Sequence, residues 1–313
     1  MSRFLFILNP TAGKGSGRRL RKRIIACLES RTSDFEITET TMRGEATDIA
    51  RKASAQTVVA VGGDGTVHEV ANGLFGSDKV LGVLPIGSGN DFVKSIGMPT
   101  QLDSAVEALI SHRVSLIDLG VVEILGENGV SATGESGASY FVNGLGVGFD
   151  AAVAVRTQRI PMVSGTLVYV LAVLQTLGQY VAPEFRVSVD ERETKSRNLL
   201  IAVGNGRCAG GGFYLTPDAV VTDGQLDVCI VEDMSTLAIL RLMPLVMKGK
   251  HHSINAVKFD RGQTITIKSS EPVAVHADGE ILGEEISGLR IEVIPRAVKV
   301  IVGQTDNQIR CIM

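Results

Sequence analysis

Three times within the first ninety residues an apolar run ends in clustered glycines and passes into helical periodicity: "RFLFILNPTAGKGSG", "TVVAVGGDGTVHEVANGL" and "VLGVLPIGSGNDF". Glycine at a strand-to-helix turn lets main-chain N–H groups approach an anion, and the helix N-terminus behind it adds partial positive charge. One such junction is ordinary chain reversal; three in succession predict a sheet edge that grips a polyphosphate. Neither standard fingerprint fits. "GKGSGR" would need glycine at Arg18 to complete GxGxxG, and GxxxxGK[ST] occurs nowhere.

The same stretch alternates strand and helix. "RFLFILN", "FEITET", "TVVAV" and "VLGVLP" read as strands, and residues 16–30, 45–54, 64–75 and 101–111 as helices. That order predicts an α/β domain, a parallel sheet with helices on both faces whose ligands bind at the carboxyl ends of the strands. Beyond about residue 113 short β-rich runs take over, with helices only around 149–180 and 235–248, which predicts a mostly antiparallel β-sandwich. The expected division is a nucleotide-binding domain at 1–125 and a substrate-side domain at 126–295, with the tail at 296–313 packing back on the first. Residues 126–139 read as an exposed hairpin loop.

Composition narrows the partners. A net charge of −3, 4% aromatic residues and no Trp argue against nucleic acid. Four scattered cysteines form no CxxC, which points to a cytoplasmic protein without a disulfide framework or zinc site, and the glycine-rich N-terminus does not read as a signal peptide. Residues 160–183 carry no charge, but Pro161, Gly165, Gln175 and Gly178 break the run well short of the ~20 apolar residues a membrane span needs. The segment reads either as a buried core helix or as one whose face meets lipid.

Among side chains with chemistry, Asn9, Thr11, Thr66 and Ser88 are placed to donate to phosphate. Asp64 sits amid the second glycine cluster, where it needs a cation or a proton donor; Mg²⁺ with water suits it, and so does an N-cap on a helix at 65–75. Six of the ten residues from Lys14 to Arg23 are basic, either a solvated face or an attraction for anions. "HEVAN" lacks the second histidine of HExxH and no GxSxG occurs, so zinc-protease and α/β-hydrolase chemistry fail. His251 and His252 read as surface or turn residues. "TDGQ" and "ADGE" are hairpin-turn signals, yet Asp218, Asp223 and Asp227 within ten residues also suit a hard cation.

In order along the chain, "NPTAGKG", "GGDGTVHEVANGL", "LGVLPIGSGNDF", "NGLGVGFDAAV", "GNGRCAGGGFYLTPDAVVTDGQLDV" and "ADGE" resemble the bacterial diacylglycerol kinase and YegS-type lipid kinase family, of which sphingosine kinases are relatives. "GGDGT" alone is shared with NAD kinases and phosphofructokinases; the later string is the specific part. The resemblance implies nucleotide contacts at Asn9, Pro10, Thr11, Ala12, Gly13, Thr40, Gly62, Gly63, Asp64, Gly65, Thr66, Val67, His68 and Ser88. It also implies Mg²⁺ held by the Asp223 side chain with carbonyls of Val220 and Gln225. Catalytic roles fall to Asp64 and to the pair Asp278 and Glu280, either of which takes the acceptor's proton.

The expected reaction is ATP- and Mg²⁺-dependent transfer of the γ-phosphoryl group to a hydroxyl of a diacylglycerol-like lipid, giving a phosphatidate-like product, by an enzyme peripheral to the inner membrane face. "FVNGLGVGFD" and residues 167–177 are the expected cover for acyl chains, and an unpaired strand at the second domain's edge would pair across a homodimer. Rival readings are a soluble kinase acting on a nucleotide such as NAD, and a nucleotide- or lipid-binding regulator without catalysis.

Overall fold

The computed structural model describes residues 3–126, 138–159, 173 and 175–303. Most of the expected loop at 126–139, most of the apolar segment at 160–183, including much of 167–177, and the tail from 304 onward lie outside the described residues. The chain divides into two compact units, one of residues 1–119, 221–223 and 295–313, the other of 120–220 and 224–294.

The first unit alternates β1 (Phe4–Leu8), α1 (Ala12–Glu29), β2 (Phe35–Glu39), α2 (Glu45–Lys52), β3 (Thr57–Gly62), α3 (Asp64–Leu74), β4 (Val80–Pro85), α4 (Phe92–Ser95) and α5 (Leu102–Ser111). Its strands pair in parallel in the order β2–β1–β3–β4, and the end of β13 (Glu280–Ile301) adds beside β4 through Lys299 and Val300. Every residue of β1, β3 and β4 is buried, as unbroken apolar runs require in a sheet covered on both faces. The register sets Leu8 beside Val61 and Gly62 beside Pro85, so these strands end level and their glycine loops start together. α1 has left-handed φ at Gly13, Lys14 and Gly15, so its regular part begins at Ser16. α4 went unforeseen because four residues are too few to show a helical period.

In the second unit lie β6 (Ser139–Phe141), β7 (Gly144–Gly148), α6 (Phe149–Arg159), β8 (Glu184–Val189), β9 (Arg192–Gly204), β10 (Leu226–Glu232), α7 (Thr236–Val246), β11 (Val257–Gly262) and β12 (Thr264–Ala277). β5 (Val114–Ile124) and β13 each contribute residues to both units. Pairing is antiparallel along β11–β10–β9–β7–β12–β13, with β8 bonded to both β9 and β12. Side chains alternate between two apolar clusters. Ile201, Val203, Val228 and Ile230 enter one, lined otherwise by strands; Leu200, Ala202, Cys229 and Val231 enter the other, covered by α6 and α7. Among the described residues no helix is long and apolar enough to cross a membrane.

A half-buried and a fully buried imidazole tie stability to pH. His112 closes α5 in the left-handed region and bonds Thr57 at 2.9 Å; burial, then the Arg3 charge, hold its pKa below the usual range. His251, fully buried rather than the surface residue expected, is depressed chiefly by burial. Both rings take up a proton less readily in the fold than in the unfolded chain. Their contribution is therefore complete above the unfolded imidazole value of about 6.5 and is lost as pH falls through the lower folded values. Thermal unfolding should show a lower midpoint at about pH 5 than at about pH 7.5, and His251→Phe, which cannot take up a proton, should flatten part of that slope.

Candidate active site

The three glycine junctions of the first unit touch. A Cβ on Gly13 would lie 2.1 Å from the Ile86 carbonyl oxygen, and one on Gly87 would lie 2.3 Å from Gly63 Cα. No side chain fits either place, so bare backbone is what lets the β1, β3 and β4 loops close on one another. Side chains fasten them further. Asn9 Nδ2 donates to Thr66 Oγ1 at 3.1 Å, and Asn9 Oδ1 accepts from the Thr11 N–H and hydroxyl at 3.0 and 2.8 Å. Asn9, Thr11 and Thr66, expected as donors to phosphate, are thus also bonded to one another. Thr40 N donates to the Leu8 carbonyl at 2.9 Å, Ser88 is exposed, and Val67 is buried, its N–H donating to the Gly63 carbonyl at 3.1 Å.

Asp64 is the first residue of α3, not its N-cap, which is Gly63. Its Oδ1 accepts from the main-chain N–H groups of Asp91 at 2.7 Å and Phe92 at 3.1 Å. The proton donors this carboxylate needs are therefore main-chain amides: it clasps the loop after β4 to the start of α3. Glu69, the acid of "HEVAN", has a comparable duty, accepting from Gly44 N and Ala46 N where α2 begins.

In the second unit "ADGE" closes the β12–β13 hairpin. Asp278 and Gly279 have φ of +50° and +87° between the paired residues Ala277 and Glu280, as a two-residue hairpin turn demands. The turn also holds a buried carboxylate. Asp278 Oδ2 accepts from Val142 N at 2.9 Å, and Oδ1 from Asn143 N and Gly144 N at 3.0 and 2.9 Å. Three main-chain donors occupy the lone pairs a base would use, which makes Asp278 a positioning group. Glu280 is half-buried at the head of β13.

Sequence reasoning missed the groups behind this turn. His276 Nδ1 accepts from Gly279 N at 3.3 Å, so the neutral ring carries its proton on Nε2, which faces Asp150 Oδ2 at 3.4 Å. Gly146 permits the meeting, since a Cβ there would lie 2.0 Å from Asp150 Oδ2 and 2.5 Å from His276 Nε2. Asn143 lines the same small cavity; its Nδ2 donates to the Cys208 carbonyl at 2.7 Å and its buried Oδ1 has no hydrogen-bond partner among the described residues. In the sequence, Asn143 and Asp150 stood within "FVNGLGVGFD", expected as cover for acyl chains, and neither side chain was given a polar role.

The trio of acids near residue 220 does not assemble. Asp218 pairs with His252 at 2.7 Å, and buried Asp227 lies 3.5 Å from Arg261. Among the described residues no group of three or more His, Cys, Asp or Glu is arranged to hold a metal ion. Asp223 is exposed in the turn that includes Val220 and Gln225; its carboxylate and their two carbonyls are hard oxygen donors of the kind Mg²⁺ takes. On the basic stretch of α1, Arg21 pairs with Glu39 and Arg23 with Asp103, which accounts for part of the charge as local ion pairs.

Comparison with known proteins covers nearly the whole chain. Residues 3–122 match the family described as diacylglycerol kinase catalytic domain, and residues 143–302 the YegS C-terminal NAD kinase beta sandwich-like domain. A diacylglycerol kinase of Mycobacterium tuberculosis H37Rv is 30% identical over 307 residues, covering 94% of this chain and 93% of that one. One from Bacillus subtilis 168 is 27% identical, covering 90% and 91%. In fold, the chain is similar to a crystal structure of a diacylglycerol kinase from Bacillus anthracis Sterne, with TM-score 0.70 at 22% identity over 96% of this chain and 97% of that one.

Three substitutions test this fastening. Asp64→Ala strands the N–H groups of buried Asp91 and Phe92 and should lower unfolding free energy by about 2 kcal/mol, while Asp64→Asn, which still accepts through Oδ1, should stay within about 1 kcal/mol of the parent in urea titrations. Asp278→Ala removes the acceptor of three donors and should cost at least about 3 kcal/mol by the same measurement.

Proposed function

The chain belongs to the diacylglycerol kinase family and is a lipid kinase, and on that premise we propose that it transfers the γ-phosphoryl group of ATP to a hydroxyl of a diacylglycerol-like lipid. The observation that carries this reading is the mutual contact of three glycine loops at the level carboxyl ends of β1, β3 and β4. Their approach sets bare main chain and the N-terminus of α3 side by side, the surroundings in which a triphosphate is held without a Lys-bearing P-loop. Asn9 to Gly13, Thr40, Gly62 to His68 and Ser88 form this bed.

Transfer to an alcohol requires an oxygen lone pair to attack the γ-phosphorus while the bond to the β–γ bridging oxygen breaks and ADP leaves. The hydroxyl proton passes to a carboxylate. Glu280 takes that proton, and Asp278 holds the turn that presents it by anchoring Val142, Asn143 and Gly144. Asn143 Oδ1 and Asp150, both acceptors lining one cavity beside His276, favour an O–H donor as the second substrate. Asp223, with carbonyls of Val220 and Gln225, would hold a structural Mg²⁺, which when bound would stiffen the turn that carries them.

The test is phosphate transfer from γ-labelled ATP with diacylglycerol vesicles or NAD as acceptor. Label in the lipid extract is the expected result; label confined to an aqueous nucleotide overturns the lipid acceptor, and no transfer to a broad lipid panel despite ATP binding overturns this assignment. Glu280→Gln should lower kcat by roughly 10²- to 10⁴-fold with little change in unfolding free energy, the reverse of the Asp278→Ala pattern. Retained turnover in Glu280→Gln would remove its role as base.

A further inference from the structure

Helix α7 is apolar on the side that faces protein and on the side that does not. Ile239, Leu242 and Val246 are buried against the second unit's sheet. On the opposite side, Leu237 is 56% exposed, Leu240 38% and Met247 48%, three of the six strongly exposed large apolar side chains among the described residues. At 3.6 residues per turn, Leu237, Leu240, Pro244 and Met247 fall within about 80° of arc, and Arg241 and Lys248 extend it to about 120°. Helices that face water on one side normally carry polar residues there, so this outer stripe calls for a second cover.

The charges around the stripe say what kind. Thr236 to Lys250 contains Arg241, Lys248 and Lys250 and no acid, a local +3 in a chain whose net charge is −3. Of the acids nearest in sequence, Glu232 pairs with Lys258 and exposed Asp233 precedes the helix N-terminus, away from Lys248 and Lys250 at its other end. Pro244 has no N–H, so the Leu240 carbonyl lacks its usual helical donor on the exposed side. That carbonyl tolerates the wet headgroup layer and not a dry protein interface. Leucine and methionine flanked by cations, over a carbonyl that wants water, match the boundary of an anionic lipid layer.

We propose that the outer face of α7 seats this protein on an anionic lipid surface, with Leu237, Leu240 and Met247 entering the headgroup boundary and Arg241, Lys248 and Lys250 meeting lipid phosphates. The choice of lipid rests on the chain's being a lipid kinase; the binding it predicts needs neither ATP nor turnover. Neither the basic stretch of α1 nor the apolar segment at 160–183 is required for it.

The full chain is sedimented with vesicles of phosphatidylcholine alone or mixed with phosphatidylglycerol. Wild type should partition onto the anionic vesicles and be released by salt. Arg241→Gln, Lys248→Gln and Lys250→Gln together should weaken that partition by about 10- to 100-fold. The chain has no Trp, so Leu240→Trp supplies a single reporter, whose emission should shift to the blue on adding anionic vesicles. The triple variant should phosphorylate a water-dispersed short-chain diacylglycerol as wild type does, and vesicle-embedded substrate more slowly. Docking is overturned by a wild type that ignores anionic vesicles, a triple variant that sediments like wild type, or an unshifted Leu240→Trp. It is equally overturned if Leu240→Asp dissolves a dimer while vesicle binding persists, which would assign the face to a second copy. Binding that is lost with the α7 charges, in a chain that labels no lipid, upholds docking and rejects the diacylglycerol-like acceptor.

Discussion

Within each unit, carboxylates that accept main-chain N–H groups from distant segments hold the candidate functional residues in shape. Asp64 receives Asp91 and Phe92, and Asp278 receives Val142, Asn143 and Gly144. The device recurs outside the site, where Asp190 accepts from Gln263 and Thr264, and Asp118 from Arg296. Loops of small residues bury little apolar area and cannot be fixed by packing. A charge-assisted hydrogen bond is roughly twice as strong as a neutral one and is directional, so one aspartate orders two or three successive peptide units at once.

Glycine makes that economy possible and also limits it. Where Gly63 meets Gly87, and Gly13 meets Ile86, the backbones approach so closely that any Cβ would force them apart. The strands beneath support these contacts, since the level ends of β1, β3 and β4 bring the loops together. Gly146 follows the same logic, yielding the space in which His276 reaches Asp150. In each case the residue that matters is legible in the sequence as glycine, while the partner it makes room for is not.

That difference explains how far the sequence could be read. Strand–helix alternation and the apolar runs of β1, β3 and β4 placed the parallel sheet, because period and burial are local properties. The Asp-Gly of "ADGE" placed its hairpin for the same reason. What stayed hidden depends on pairing across long separations: Asp278 finds its donors some 135 residues away, and His276 finds Asp150 through the β7–β12 register. Asp218, Asp223 and Asp227 show the converse error. Nearness in sequence suggested a shared cation, but Asp227 enters β10 and meets Arg261 while Asp218 turns to His252, so neighbours along the chain became members of separate ion pairs.

The two acids of "ADGE" illustrate why residue types so alike are not interchangeable. Position 278 has φ of +50°, a region where Asp is tolerated because its short side chain can bond locally, and its carboxylate must stop within one methylene to collect three amides. Glu at that site would carry the charge past its donors and into the chain behind them. Position 280 begins a strand, where the longer side chain of Glu can leave the backbone and reach an incoming hydroxyl. On the proposed assignment, stability and proton transfer divide between residues two apart, with a left-handed glycine between them, and a substitution that exchanged the two acids would damage both.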